Sequence, residues 1–231
     1  MASRRFPLRQ YCQIGRHLAR VGRVTGLRER KKAQTRIDLS WAAVRLVVEY
    51  GFDHVRVEDI AEEAGVSVRT FRNYFASKAD AVADRHRERM LQIAEELRDR
   101  PVGESLWEAL EAAVCARFAL GQDAAPAPDR QWAEGVRLMV SDPALQGAFQ
   151  KANAEAREAL AVAVAERTGT DPVRDLYPSL VAGTVGVVVS ATSELWMGAD
   201  PPVPFEPLLR EAFSRVRSGL RPPEEERCPT S

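Results

Sequence analysis

The sequence predicts an all-α protein in two parts: an N-terminal three-helix module and a larger C-terminal helical domain. Three observations predict it. Apolar residues recur at three-, four- and seven-residue spacing through most of the 231 residues, as helices with one buried stripe require. No segment of convincing length alternates with the period of two that marks a strand. Glycine, proline and Asp-Pro steps interrupt the helical pattern at intervals and divide it into nine helices.

Residues 1–27 precede the first helix and read as a basic, flexible arm. The first 26 hold Arg4, Arg5, Arg9, Arg16, Arg20 and Arg23 and no acid, a composition shared with organelle transit peptides. They lack the continuous apolar stretch of a secretory signal, and a translation start set too far upstream produces the same pattern. The module itself spans 28–78. Its first helix, ERKKAQTRIDLSWAAVRLVVEY, carries Ile37, Trp41, Val44 and Val48 on one stripe and closes at Gly51, with Phe52 just beyond.

The most informative stretch is Val57–Lys78, VEDIAEEAGVSVRTFRNYFASK. Ile60, Ala61 and Ala64 fall at helical spacing, and Gly65 can take the left-handed conformation that ends a helix cheaply. Val66 plugs the turn, and Ser67 is placed to cap the next helix. In that helix Val68, Phe71 and Phe75 face inward, leaving Arg69, Thr70, Arg72, Asn73 and Tyr74 outward. This is the design of a helix-turn-helix, whose second helix enters the DNA major groove. A purely structural hairpin shares parts of the pattern, so the flanks matter.

A larger helical domain follows over 79–220. The fourth helix runs from Lys78 to about Arg100, with Val82, Met90, Ile93 and Leu97 inward, and Pro101-Val102-Gly103 ends it. Glu104 to Leu120 forms the fifth, carrying Leu106, Leu110, Val114 and Phe118, and GQDAAPAPD at 121–129 is a loop. The sixth spans Gln131 to Val140. Asp142 and Pro143 cap and start the seventh, which Gly169-Thr170-Asp171-Pro172 breaks. The eighth, Leu176 to Met197, opens with the 18 uncharged residues between Asp175 and Glu194. It is short for a membrane span and interrupted by Pro178, Ser179, Thr184, Ser190 and Thr192, so it reads as a helix buried on nearly every side. Ala182, Gly183, Gly186 and Ser190 give it a small-residue face open to close helix approach. Gly198 to Pro204 links it to a ninth helix, Phe205 to Leu220, and the polar tail at 221–231 reads as disordered.

Zero net charge conceals polarity. Residues 1–36 carry +10, with Glu29 their single acid, and the remainder carries −10. Arg28, Arg30, Lys31, Lys32 and Arg36, beside a helix-turn-helix, suit phosphate neutralisation, which gives affinity and salt dependence but little sequence information. Cys12, Cys115 and Cys228 are scattered and odd in number, as reduced cytoplasmic thiols are, and His17, His54 and His86 make no cluster with them. No structural metal and no cofactor is expected. A phosphate loop, HExxH, GxSxG and a His–carboxylate constellation are all missing from the sequence, which argues against an enzyme.

From Arg30 to about Asp84 the chain resembles the DNA-binding domain of the TetR family of transcriptional regulators. The basic-to-amphipathic first helix, the Gly51-Phe52 turn, VEDIAEEAGVS and TFRNYFASK carry the resemblance. It implies that Ser67, Arg69, Thr70, Arg72, Asn73 and Tyr74 approach DNA and that Lys78 grips a phosphate, with Arg30, Lys31 and Lys32 supporting. Two positions depart from the family pattern. Arg56 stands where a capping Thr is common, and Arg72 stands where Tyr is common; a guanidinium there can read guanine or bind phosphate.

The resemblance further implies a homodimer made through the last two long helices, a cytoplasmic protein found at the nucleoid when bound to DNA, and a small-molecule effector enclosed by helices five to eight. RLMVSDPALQGAF followed by a very long helix is similar to regulators related to the mycofactocin-system repressor, which implies an acyl-coenzyme A-like ligand. Trp107, Phe118, Trp132, Phe149 and Trp196 would then line an apolar tunnel, with Arg117 or Arg137 pairing an anionic group at its mouth. Repression is the expected sign. Activation, or an architectural DNA binder without an effector, is the alternative.

Overall fold

The computed structural model describes residues 26–119, 130–199 and 203–220, with the side chains of 119 and 130–133 left out. The arm, the 121–129 loop and the tail therefore lie largely or wholly outside the described residues, as do residues 200–202 of the Gly198–Pro204 link. All regular elements among the described residues are helical, as the sequence predicts.

Helix α1 (Leu27–Tyr50) ends where Gly51 takes φ 83°, a conformation costly for any residue with a Cβ. A 3₁₀ turn at Phe52–His54 leads to α2 (Val57–Glu63) and α3 (Val68–Arg72). Gly65 between them has φ 68°, and the hydroxyl of Ser67 accepts from the Thr70 N–H at 3.1 Å, so the turn and the cap form as expected. At the start of α2 the Asp59 carboxylate accepts from the Arg56 N–H at 2.7 Å. A guanidinium has donors only, so Arg56 itself cannot supply the cap that a threonine would.

The remaining helices are α4 (Lys78–Asp99), α5 (Leu106–Ala119), α6 (Arg130–Ser141), α7 (Pro143–Thr168), α8 (Leu176–Gly198) and α9 (Phe205–Arg217). Local chemistry sets their ends. Ser77 caps α4 and Asp142 caps α7, each accepting a backbone N–H, and Gly169 at φ 68° closes α7.

Two apolar cores result. The first joins Leu39, Ala43, Val47, Ile60, Phe71, Phe75 and Val82, and also takes in Met139 and Leu145. The module is therefore not self-contained: the end of α6 and the start of α7 complete its core. The second joins Ile93 and Leu97 of α4 with Leu110, Val164, Val185, Leu209 and Phe213. In α1 the buried face is Leu39, Ala42, Ala43, Val44 and Val47, while Ile37, Trp41 and Val48 of the expected stripe are half-buried. That helix is covered from two directions, by α2 on one side and by α4 and α6 on the other, so one stripe could not describe it.

Helices α4 and α7 cross both cores side by side and run parallel. Arg87 pairs with Glu155 at 2.6 Å and Arg98 with Glu166 at 2.7 Å, a repeat of 11 residues, or about three turns, on each helix. Arg167 extends the row by donating to the Pro101 and Glu104 carbonyls. Across the head, Asp84, 3% exposed, accepts a forked pair of bonds from Arg36 and one from Ser40 at 3.0 Å. Arg36 is thus tied to α4 rather than extended with the basic arm, a correction to its expected phosphate role.

Helix α8 also differs from expectation. It is long and apolar enough to cross a membrane by length and composition alone, but only 33% of its most apolar window is buried. Leu176, Leu180, Val187 and Leu195 stand exposed along one face. A Cβ added at Gly183 or Gly186 would meet nothing within 4 Å, so no other helix among the described residues approaches closely there. The close approach occurs elsewhere: a Cβ on Gly135 of α6 would lie 2.6 Å from Val48 Cγ1 and 2.8 Å from the Val48 carbonyl oxygen.

Candidate nucleic-acid interface and effector domain

Helix α3 is short, and its outward face exists because Phe71 and Phe75 anchor the other side. Both rings are buried, 5.7 Å apart, and the Arg36 guanidinium covers Phe75. Arg69, Arg72 and Asn73 are exposed, and Thr70 and Tyr74 half-buried. Neither Arg69 nor Arg72 forms a salt bridge among the described residues, which leaves two exposed cations on one surface. Ser67 is exposed, but its hydroxyl is already engaged with the Thr70 N–H and, at 2.9 Å, the Thr70 hydroxyl.

Lys78 takes a different position from the one the resemblance implies. Its ammonium donates to the Phe52 carbonyl at 2.6 Å and the Val55 carbonyl at 2.9 Å, and sits 4.0 Å from the Phe52 ring centre. Two of its three N–H donors hold the turn after α1, so it is an internal strut first.

Arg28, Arg30, Lys31 and Lys32 are exposed in the first two turns of α1, which has no side-chain cap. Cations there oppose the helix dipole. An isolated helix gains nothing from that placement, whereas a nearby phosphate would neutralise it.

In the larger domain the structure gathers some of the expected ligand residues and separates others. Phe118 and Trp196 meet through Phe205, with ring centres 5.1 and 5.5 Å from it, and the Trp196 indole donates to the Val203 carbonyl. Trp107 is half-buried against the same core. Phe149 belongs instead to the head core, edge-on to His86 at 5.7 Å. The Trp132 side chain lies outside the described residues. Neither candidate cation is available: Arg117 is buried and paired with Glu96 at 2.7 Å, and Arg137 pairs with Glu134 on the surface. Recesses of about 460 Å³ between α7 and α8 and about 420 Å³ between α5 and α9 have charged rims and lie apart from this aromatic group.

Sequence reasoning passed over Trp41, Arg85, His86 and Arg89. His86 Nε2 lies 2.7 Å from Asn153 Oδ1, and its pKa is lowered, by burial first and by the Arg89 charge, against the raising effect of that hydrogen bond. Arg85 and Arg89 face rings rather than acids, 5.6 Å from Trp41 and 5.0 Å from Phe118. The signal was present as six consecutive titratable residues, 84–89, in the middle of a helix with buried neighbours. Cys115 is a buried free thiol, its pKa raised by burial, and no metal-holding cluster occurs among the described residues.

The profile of the family described as bacterial regulatory proteins, tetR family, matches residues 41–83, and that of the MftR C-terminal domain matches 104–221. MftR of Mycobacterium tuberculosis, named for transcriptional regulation of mycofactocin biosynthesis, is 30% identical over 204 residues, covering 88% of this chain and 96% of its own. The chain belongs to the TetR family. It is a transcriptional regulator with the family's helix-turn-helix domain and an MftR-like C-terminal domain.

TcmR of Streptomyces glaucescens, a helix-turn-helix transcriptional regulator, is 29% identical over 204 residues, 85% of this chain and 87% of its own. Among solved structures, FadR of Bacillus subtilis in complex with stearoyl-CoA shares the fold at a TM-score of 0.54 and 21% identity, covering 80% of this chain and 99% of its own. These relatives and families are regulators rather than enzymes. TetR regulators bind operator DNA, dimerise and bind small-molecule effectors.

Proposed function

We propose that this regulator is a dimeric repressor that releases its operator when an apolar, acyl-coenzyme A-like effector binds the larger domain. The observation that carries the reading is the outward pair Arg69 and Arg72 on α3, with Asn73 at its C-cap, over the buried rings of Phe71 and Phe75. Arg72 can form the bidentate contact to guanine O6 and N7, and Arg69, with the basic turns of α1, can take phosphates. One five-residue helix reads few base pairs, so a two-fold pair of them supplies the remainder of the affinity. The exposed Leu176–Leu195 stripe of α8 suits the pairing.

For the effector, the Phe118–Phe205–Trp196 group offers an apolar wall, and stearoyl-CoA in the FadR complex supplies the ligand class by fold likeness. Release follows from linkage: the effector must bind the DNA-incompetent state better than the competent one. Half-sites lie about 34–36 Å apart, so a shift of a few ångströms between recognition helices strains both contacts. The test is a gel shift on the DNA upstream of the gene with stearoyl-CoA titrated in. Operator affinity is expected to fall. An affinity unmoved by excess ligand removes the effector assignment, and failure to shift that DNA in any condition removes the operator reading.

A further inference from the structure

Residues 84–89, Asp-Arg-His-Arg-Glu-Arg, span more than one and a half turns of α4, so their side chains point to every side of the helix. They lie in the layer between the two apolar cores, where some must face inward. Four have partners. Asp84 holds Arg36, His86 holds Asn153, Arg87 holds Glu155, and Glu88 accepts from Gln92 at 3.0 Å. Arg85 and Arg89, one turn apart on the same face, have no carboxylate partner among the described residues.

What surrounds them is unusual for cations. Arg85 lies 5.6 Å from the centre of the Trp41 ring, its Nε is buried without a hydrogen-bond partner, and so is the Trp41 Nε1. Arg89 lies 5.0 Å from the centre of the Phe118 ring. From Phe118 the apolar surface continues to Phe205 and Trp196. Cation–π contacts offset part of the lost hydration, but the one at Trp41 gives the buried Arg85 Nε–H no acceptor.

Two properties of Arg89 then combine. Water reaches its surface, yet protein packs around it closely enough that burial, reinforced by the Arg85 charge, pushes its pKa down to about 10. An arginine at neutral pH keeps its proton, so two neighbouring cations without a salt-bridge partner among the described residues are neutralised by an anion rather than by deprotonation.

We infer that Arg85, Arg89 and the Trp41 Nε1–H form a binding site for the anionic end of an amphipathic ligand, a carboxylate or a phosphate, whose apolar chain runs along Phe118, Phe205 and Trp196. The guanidiniums supply forked, charge-assisted bonds to the oxyanion. Their place between the cores lets the ligand touch α1 through Trp41 and the larger domain through Phe118 at once. This deepens the effector reading by naming the chemistry of the ligand's polar end, and it relies on that reading only for the apolar end.

Calorimetric titration of the full-length chain with decanoate, decyl phosphate and decanol tests it without DNA. The wild type should bind at least one of the two anions more tightly than decanol; whichever anion wins identifies the source. Arg89→Met and Arg85→Met should each weaken that anion about tenfold or more, the scale of one lost charge-assisted bond, and leave decanol within about twofold. Trp41→Phe keeps the ring, removes one donor, and should give a smaller loss.

Removing an unpaired, crowded cation should leave the unliganded melting temperature unchanged or higher; an Arg89→Met protein that fails to fold makes the guanidinium structural and overturns the site. So do equal binding of decanol and the anions, no binding by any probe, or variants that bind anions as the wild type does. Anion binding that leaves the operator complex intact would sink the effector reading alone. Operator release by stearoyl-CoA that survives both arginine variants would sink this site alone.

Discussion

Among single residues, Arg72 and Lys78 stand six positions apart with opposite surroundings. The Arg72 side chain is exposed and has no salt bridge among the described residues, whereas Lys78 bonds two carbonyls and covers the Phe52 ring. Arg72→Ala should cost about 1–3 kcal/mol of operator binding and relax base preference at one position if the guanidinium reads guanine. Quantitative binding to operator variants checks it, and a uniform loss with a shallower salt slope would make Arg72 a phosphate contact. Lys78→Met should instead lower folding stability by about 2 kcal/mol, from two charged hydrogen bonds and a cation–π contact, while operator affinity well below the melting point changes little. A denaturation midpoint equal to wild type, with weaker DNA binding, would restore Lys78 to the phosphate backbone. The two were indistinguishable in sequence because both are cations in the same motif. What separates them is the Phe52–Val55 turn, whose carbonyls come within reach of Lys78 only after the chain folds back. The same holds for Arg117 against Arg89: only packing shows that Arg117 is taken by Glu96 while Arg89 lies over the Phe118 ring.

Helix boundaries were legible because caps are local events. Ser67, Ser77, Asp142, Gly51 and Gly169 act on backbone within a few residues, so their effect is written in adjacent sequence. Which helix meets which is not. Gly135 sits in a plain helical pattern, yet it is the point where α6 comes against the α1 backbone at Val48. The Val48 side chain can rotate away from a methyl group, but its carbonyl cannot, so Gly135→Ala should lift α6 from α1 at a cost of about 1–3 kcal/mol. Because α6 and the start of α7 complete the core under α3, the same change should alter operator affinity from a position that touches no DNA. Calorimetric unfolding and gel shift on one preparation check both parts. Unchanged stability would mean the contact yields easily, and unchanged DNA binding with lowered stability would mean α6 does not set the pose of the head. Under the proposed function, the route between effector and DNA runs through α4, α6 and α7 together. The parallel pairs Arg87–Glu155 and Arg98–Glu166 tie α4 to α7 at two levels about three turns apart.

For the whole molecule the unbalanced feature is the outer face of α8. Leu176, Leu180, Val187 and Leu195 fall on one side of the helix and are 56–71% exposed, whereas the outer face of α9 is covered by the pairs Arg210–Glu206 and Arg215–Glu211. An apolar stripe of that length in water is the mark of a contact surface, and a second copy of the same stripe is its natural complement in a two-fold assembly. The open space at Gly183 and Gly186 lets a partner backbone come close in the middle of it. A carboxylate at the centre of such a stripe would be placed against its own symmetry mate as well as against apolar side chains. Val187→Glu should therefore give a monomer at micromolar concentration by sedimentation, with operator affinity reduced about tenfold or more, because each half-site must then be bound independently. The monomer should keep its helical content, since Val187 is 68% exposed and supports no core within the chain. A Val187→Glu protein that remains dimeric would move the contact off α8 and require the α9 ion pairs to take part. One that is monomeric yet binds full operator as tightly as wild type would show that a single copy of α3, with the basic turns of α1, holds DNA without a partner.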